Sequence, residues 1–353
     1  MPLSLLPATD AKTWDTFLAS RQYRPFLQSW TMGEVYRDIG QEPVRLALSD
    51  NGRITGICQA IVVPARRGKH LMVPYGPVLE RMSDLPAVLA ALKDVAMQHR
   101  CAFIRISPFL PTVTSVKMGW PPPESSSSPL HLLAEHLWYL PLETPDPWGE
   151  TTGGILTRRT EQELLAGMRS TARNLIRRAQ KEGVTVQASD DPVRDLPEFL
   201  RLHEETRKRH KFVPYGDAFF RAQVGHFAPR GEVLLYLARY NGEVIASSIH
   251  MRFGGETSYH HGASTFKYKN VPASYLLQWT AIADALRRGD RVYNFWGISP
   301  EGVTKHPFAG VRTFKTGFGG TMRELVHCTD IPLTKKYWIT WAIETGRKWK
   351  RGF

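Results

Sequence analysis

The sequence predicts an α/β protein made of two tandem copies of one domain, each a mixed sheet that opens on a β-hairpin and is flanked by helices. Two observations carry that prediction. Four elements recur in the same order at a nearly constant offset, which is the mark of a duplication. The chain also has the size for it: 353 residues, 42% of them hydrophobic, are enough for two ordinary domains with a core each.

The hairpin comes first in each copy. VRLALSDNGRITGICQAIVVP (44–64) and VLLYLARYNGEVIASSIHMRF (233–253) are alternating apolar strands joined at Asn51-Gly52 and Asn241-Gly242. Asn-Gly is the strongest short hairpin signal because both turn positions need positive φ. A short strand follows, HLMVPYGPV (70–78) or TSYHHGAST (257–265), then an amphipathic helix, DLPAVLAALKDVAMQHR (84–100) or ASYLLQWTAIADALRRG (273–289). Each copy closes on a strand ending in Ile-Ser-Pro, CAFIRISP (101–108) or RVYNFWGISP (291–300). The Asn-Gly pairs lie 190 residues apart and the Ile-Ser-Pro triplets 192.

Between the copies, PPPESSSSPLH (121–131) and TPDPWGETTGG (144–154) are linker-like. They place the first domain at 1–155, completed by 322–353, and the second at 156–321. TEQELLAGMRSTARNLIRRAQKEGV (160–184) predicts one or two helices, opened by Thr160 and Glu163 at capping-box spacing and closed by Gly183. Arg169, Arg173, Arg177, Arg178 and Lys181 are uninterrupted by acid, and spacings of four put Arg169, Arg173, Arg177 and Lys181 on one helical face. That face suits phosphate binding as well as it suits plain solvation.

The net charge of +13 implies a polyanionic partner: nucleic acid, an anionic membrane surface or phosphorylated substrates. Cys58, Cys101 and Cys328 share no motif spacing, which argues against a disulfide framework or zinc ribbon and fits a reducing compartment. No metal site is expected. Without a cleavable leader or an 18-residue uncharged apolar run, a cytoplasmic location is expected. In LTKKYWITWAIETGRKWKRGF (333–353), six Lys/Arg face one Glu, and helical projection groups Trp338, Trp341, Ala342, Thr345 and Trp349 into an aromatic stripe. The stripe fits either peripheral contact with the inner membrane surface or docking on the first domain with a basic outer side.

Three places carry candidate chemistry. FAGVRTFKTGFGG (308–320) holds Lys315 and Arg312 in an otherwise aromatic, Gly-rich stretch read as a loop. Tyr259, His260 and His261 share one strand, and Tyr259 and Tyr75 are candidates to line a pocket. Strict alternation would let only one of the two histidines face it, His261 being the candidate base or substrate contact.

The hairpin-led mixed sheet resembles the GNAT acyltransferases. Their Q/R-x-x-G-x-G/A loop for coenzyme A pyrophosphate has no match in either half, where the chain reads TFKYKNVPASYLL and LERMSDLPAV, so no coenzyme A is expected. More specifically, FLQSWTMGEVYRDIG (26–40), LMVPYGPV (71–78), MRSTARNLIRRAQKEGV (168–184) and RTFKTGFGG (312–320) resemble the Fem family of aminoacyltransferases, over about residues 10 to 330. The resemblance implies two tandem GNAT-like domains with an interdomain cleft. The absence of a heptad run makes the chain similar to the short members without a coiled-coil insertion. It further implies an enzyme that takes an amino acid from aminoacyl-tRNA, without a cofactor, and adds it to the stem-peptide side-chain amine of a peptidoglycan precursor, lipid II or UDP-MurNAc-pentapeptide. By the same resemblance Lys315 falls on the family's Phe-Lys pair and would stabilise the oxyanion. Arg37, Tyr75 and Arg105 would hold the acceptor, and the 169–181 stripe the tRNA.

The family's diphosphate-binding lysine and arginine fall near Tyr36 and Tyr215, which lack the charge; Arg37, Arg209, His210 and Lys211 stand close enough to supply it. Ser107 occupies a position where a carboxylate base is expected. The alternatives are an acyltransferase with another activated donor, in exopolysaccharide assembly or protein N-terminal aminoacylation, and a non-catalytic basic protein binding RNA or lipid.

Overall fold

The computed structural model describes residues 4–8, 10–65, 68–115, 119–147, 156–210, 215–303 and 308–351. The chain forms two compact units, one of Met1–Glu135 with Arg323–Phe353, the other of His136–Met322.

In the first unit the predicted hairpin pairs Glu42–Asp50 with Arg53–Val63, and its turn has Asn51 at φ 52° and Gly52 at φ 80°, the two consecutive positive values a tight I′ turn requires. His70–Pro74 adds antiparallel to the hairpin and parallel to Phe103–Ser107. Parallel neighbours cannot share a tight turn, and the helix Leu85–Gln98 makes the crossover. Its apolar stripe, Val88, Leu89, Leu92 and Ala96, packs with Cys58, Val73, Ile104 and Ile331 into the core of this unit.

Thr329–Pro332 then pairs antiparallel with Phe103–Ser107. The QSW stretch is structural here. Gln28, fully buried, donates to the carbonyls of Gln59 and Pro74 and accepts from the Gln59 N–H, while Ser29 caps the helix Trp30–Asp38.

The second unit repeats this order. Its hairpin, Val233–Tyr240 with Glu243–Phe253, turns at Asn241 (φ 49°) and Gly242 (φ 79°). Glu256–Ser264 runs parallel to Val292–Gly297 through the crossover helix Ala273–Arg287, and His136–Pro141 closes antiparallel on Val292–Gly297. In both sheets the closing strand lies outside the repeat visible in sequence. That places the crossing between units at Glu135/His136 rather than at 155, because His136–Pro141 is needed to cover the edge of Val292–Gly297.

The Thr160/Glu163 capping box forms, and two helices follow, Glu161–Gly167 and Ser170–Lys181. Arg169 is the N-cap of the second helix, so it precedes the face on which the sequence placed it. Among the described residues the longest helix is Pro192–His210 at 19 residues, so no coiled-coil arm occurs there. The stretch read as a loop around Lys315 is a helix, Ala309–Thr316.

The helix Tyr337–Arg351 docks on the first unit through Tyr337, Thr340, Trp341 and Glu344. Beneath it lies a buried ion cluster. Arg105 Nε and Nη2 donate to the two oxygens of Asp330 at 2.7 and 2.8 Å, Nη2 also reaches Glu344 at 2.7 Å, and the Tyr337 hydroxyl donates to Asp330 at 3.2 Å. These bonds tie a central strand, the closing strand and the last helix of this unit. Breaking one partner of a buried pair leaves an uncompensated charge, so Asp330→Asn is expected to lower the unfolding free energy by about 3–5 kcal/mol in urea titrations. Glu344→Gln, at the better solvated edge, should cost clearly less.

Candidate active site

Two irregularities in the second sheet create the site. Pairing between Glu243–Phe253 and Glu256–Ser264 slips so that Ile249 opposes His261 and His250 opposes Tyr259, leaving His260 as the extra residue of a β-bulge. The bulge breaks the alternation expected from sequence, and the His260 and His261 rings sit 4.0 Å apart on one side. Across from it, the pairing of Val292–Gly297 with His136–Pro141 slips between Asn294 and Gly297. Trp296 there has φ 64°, a conformation that costs a non-glycine residue about 1–3 kcal/mol. Its ring lies 4.9 Å from that of His260. Parallel pairing of the two strands runs only from Glu256/Val292 to Ser258/Asn294 and stops where the bulges begin. Gly262 is required beside them, since a Cβ there would lie 1.8 Å from the Tyr259 hydroxyl.

The helix Ala309–Thr316 brings two cations to the end of Val292–Gly297. Arg312 Nη1 donates to the Ser299 carbonyl at 2.6 Å, with Nη2 3.5 Å from Glu301. Lys315, one turn on and 7% exposed, donates through Nζ to the Gly297 carbonyl at 2.8 Å and stands 5.4 Å over the Tyr259 ring. It makes no ion pair among the described residues. Burial pushes its ammonium down to about 7, against the carbonyl and the ring face, which both favour the cation. Among the described residues one N–H of the ammonium is used, on the Gly297 carbonyl.

Around it, Gln223 Nε2 donates to His260 Nδ1 at 3.4 Å. Burial, and then the Lys315 charge, push His260 down to about 3; burial, His260 and His203 push His261 well below its ordinary value. Both are therefore neutral at pH 7. A base with pKa near 7, as the sequence suggested for His261, is not what this environment makes. His261 Nε2 and Ser299 Oγ are buried without a hydrogen-bond partner among the described residues, and so offer polar contacts to a ligand. Tyr215, 46% exposed, stacks on Phe219 at 4.0 Å and meets His261 edge-on at 5.9 Å. By contrast His250 is a satisfied core histidine, its Nε2 2.8 Å from the Tyr293 hydroxyl.

Of the sequence candidates, the second unit thus gathers Lys315, Tyr259, His261, Tyr215 and Arg312. Those of the first unit are placed differently. Tyr36 is 5% exposed inside the core, and Tyr75 is fully buried with its hydroxyl donating to the Ala134 carbonyl at 2.6 Å, so neither faces a ligand. Arg105 is held by Asp330 and Glu344, which withdraws it from acceptor binding. Arg37 is exposed and paired with Glu34. Lys211 lies outside the described residues.

In the basic stripe, Arg173 caps the preceding helix through the carbonyls of Leu165 and Met168, and Arg178 pairs with Glu182. Arg169, Arg177 and Lys181 are exposed and make no ion pair among the described residues. Sequence reasoning discounted His260 and missed Trp296 and Ser299. Only the repeat of Ile-Ser-Pro pointed to this strand end.

Two family models match the chain, one described as the FemAB family over residues 9–126, the other as an acetyltransferase (GNAT) domain over 166–307. Aminoacyltransferase FemB of Staphylococcus epidermidis is 31% identical over 106 residues, 29% of this chain and 25% of that protein. Aminoacyltransferase FemA of the same organism is 34% identical over 80 residues, 23% of this chain and 19% of that protein. The matched part is thus a fifth to a quarter of the length of these curated relatives. The crystal structure of FemX superposes with TM-score 0.80 at 17% identity, over 97% of this chain and 100% of that one, and so shares the fold.

Lys315 also makes stability depend on pH. Above the ordinary lysine value of 10.5 neither state holds the proton; as pH falls to about 7 the unfolded chain takes it up and the folded chain does not. Folding is therefore weakened progressively across that window and by a constant amount below it. In urea titrations between about pH 7 and 10, Lys315→Met is expected to be more stable than the parent chain by a margin that widens as pH falls.

Proposed function

The chain belongs to the Fem family, and on that premise we propose that it is an aminoacyltransferase. It takes an amino acid from aminoacyl-tRNA and adds it to the stem-peptide side-chain amine of a peptidoglycan precursor, lipid II or UDP-MurNAc-pentapeptide. The observation that carries this reading is Lys315: a buried ammonium set beside two bulges and two buried polar atoms, with neither a carboxylate for the ammonium nor a hydrogen-bond partner for those atoms among the described residues.

An aminoacyl ester is already activated, so transfer needs positioning and charge stabilisation more than a strong base. The acceptor amine attacks the ester carbonyl and the amide bond forms. The ester C–O bond breaks, and the ribose hydroxyl leaves with the proton that the amine gives up. Negative charge gathers on the carbonyl oxygen in between, where the ammonium of Lys315 would meet it. Arg312 holds the turn at Ser299, and exposed Arg169, Arg177 and Lys181 supply cations for the tRNA backbone. No residue in this scheme requires coenzyme A.

The acceptor favoured by the last helix is lipid-linked. Trp338, Ile339, Ile343 and Trp349 are exposed on the side opposite Tyr337, Thr340 and Trp341, with Lys335, Lys336, Lys348 and Lys350 beside them. An apolar face edged by lysines fits an anionic membrane surface.

Incubation with charged tRNA and a muropeptide, read by mass spectrometry, should show an added residue; no addition from any aminoacyl-tRNA would defeat the reading, and salt-dependent RNA binding without transfer would favour a non-catalytic protein instead. Lys315→Met should lower transfer about 10²–10³-fold with tRNA binding retained, and parent activity should fall as pH rises through the lysine's value of about 7. In co-sedimentation, vesicles containing phosphatidylglycerol should retain the parent chain at low salt, and Trp338→Ser/Trp349→Ser should release it; equal retention of both would remove the membrane contact.

A further inference from the structure

We propose that His131, Glu135 and His327 form a binding site for one divalent metal ion of the zinc class, which clips together two distant segments of the first unit. The three side chains converge with their candidate ligand atoms within 4.8 Å of one another. His131 Nδ1 and His327 Nδ1 each lie 2.8 Å from a different oxygen of Glu135, and the two rings meet edge-on at 5.1 Å.

The convergence of three ligand atoms is what points to a metal, and the second nitrogen of His327 shows how that ring is held. Nε2 lies 2.7 Å from the Ser128 carbonyl, which only accepts, so this nitrogen carries the proton. In the neutral ring Nδ1 then presents a lone pair to a carboxylate oxygen, which is repulsive until a cation stands between them or the ring takes a second proton. An imidazole that donates to a backbone carbonyl through one nitrogen and turns the other toward a carboxylate is held as metal-ligating histidines are held. Glu135 is fixed likewise. The Cys328 N–H donates to its Oε1 at 3.2 Å, and its backbone carbonyl accepts from Leu325 at 2.7 Å.

Two imidazoles and a carboxylate are a donor set for zinc rather than for magnesium or calcium. His131, 53% exposed on its side chain, leaves one side of the site open to a water as fourth ligand. Glu135 is the last residue of the outgoing part of this unit, and His327 belongs to its returning part, 192 residues later. A bound ion would close that long loop, and the sequence hides the site because the ligands share no local motif.

The test uses the full chain, stripped with a chelator and dialysed. Zinc chloride titrated calorimetrically should bind at one ion per chain and raise the melting temperature, and cobalt(II) should give visible ligand-field absorption. Glu135→Gln and His327→Ala should each weaken zinc binding about 10–100-fold or more and remove the thermal shift. His131→Ala, at the exposed ligand, should fold as the parent by circular dichroism and still lose affinity, which separates ligand loss from misfolding. Absence of stoichiometric zinc binding would overturn the proposal and leave the histidines as imidazolium partners of Glu135. Undiminished binding in His131→Ala/His327→Ala would overturn it as well, placing the zinc elsewhere.

Discussion

A parallel pair of strands imposes more on this chain than any other feature. Such a pair cannot be closed by a tight turn, so each sheet needs a crossover helix, and the pair ends with one edge uncovered. In both sheets that edge is covered by an antiparallel strand drawn from outside the repeat, His136–Pro141 from before it and Thr329–Pro332 from long after it. The discontinuity of the first unit follows. So does the demand for a strong tie where the returning segment docks, which Arg105, Asp330, Glu344 and Tyr337 meet with buried charge and hydrogen bonds.

The same pair produces the site. A regular parallel ladder would leave no room at its far end, but bulges at His260 and around Trp296 stop the pairing after Ser258 and Asn294. Side chains that would alternate between faces are instead turned to one side. The contrast between two buried cations shows what that opening is for. Arg105 is surrounded by carboxylates and its charge is fully neutralised; Lys315 has a carbonyl and a ring face, which hold it in place without neutralising it. The first arrangement serves folding, and the second leaves charge available for a developing oxyanion.

Much of the architecture was legible because it is encoded locally. Asn51-Gly52 and Asn241-Gly242 needed only backbone sterics to be read as turns, and Thr160 with Glu163 needed only helix-end chemistry. What escaped depends on pairing between distant segments. The closing strands carry no signal of their partner, a bulge at His260 cannot be seen in a strand read by itself, and Tyr75 and Arg105 look like ligand-facing residues until Ala134 and Asp330 are brought beside them. The glycines around Lys315 signal a loop, which the structure does not form there. Gly317 in fact follows the helix, and the segment inside it, AGVRTFKT, holds Gly310 and three β-branched residues, so the helix rests on packing of Lys315 and Thr316 rather than on propensity.

The discontinuous first unit also sets an order of events during synthesis. A ribosome completes every described strand of the second sheet by Glu324, whereas the first unit waits for Thr329–Pro332 and the last helix. The segment made first is therefore finished last, and its edge at Phe103–Ser107 stays unprotected while some two hundred further residues emerge. A nascent chain in that condition carries an unpaired strand edge, the feature that templates pairing with a neighbouring chain.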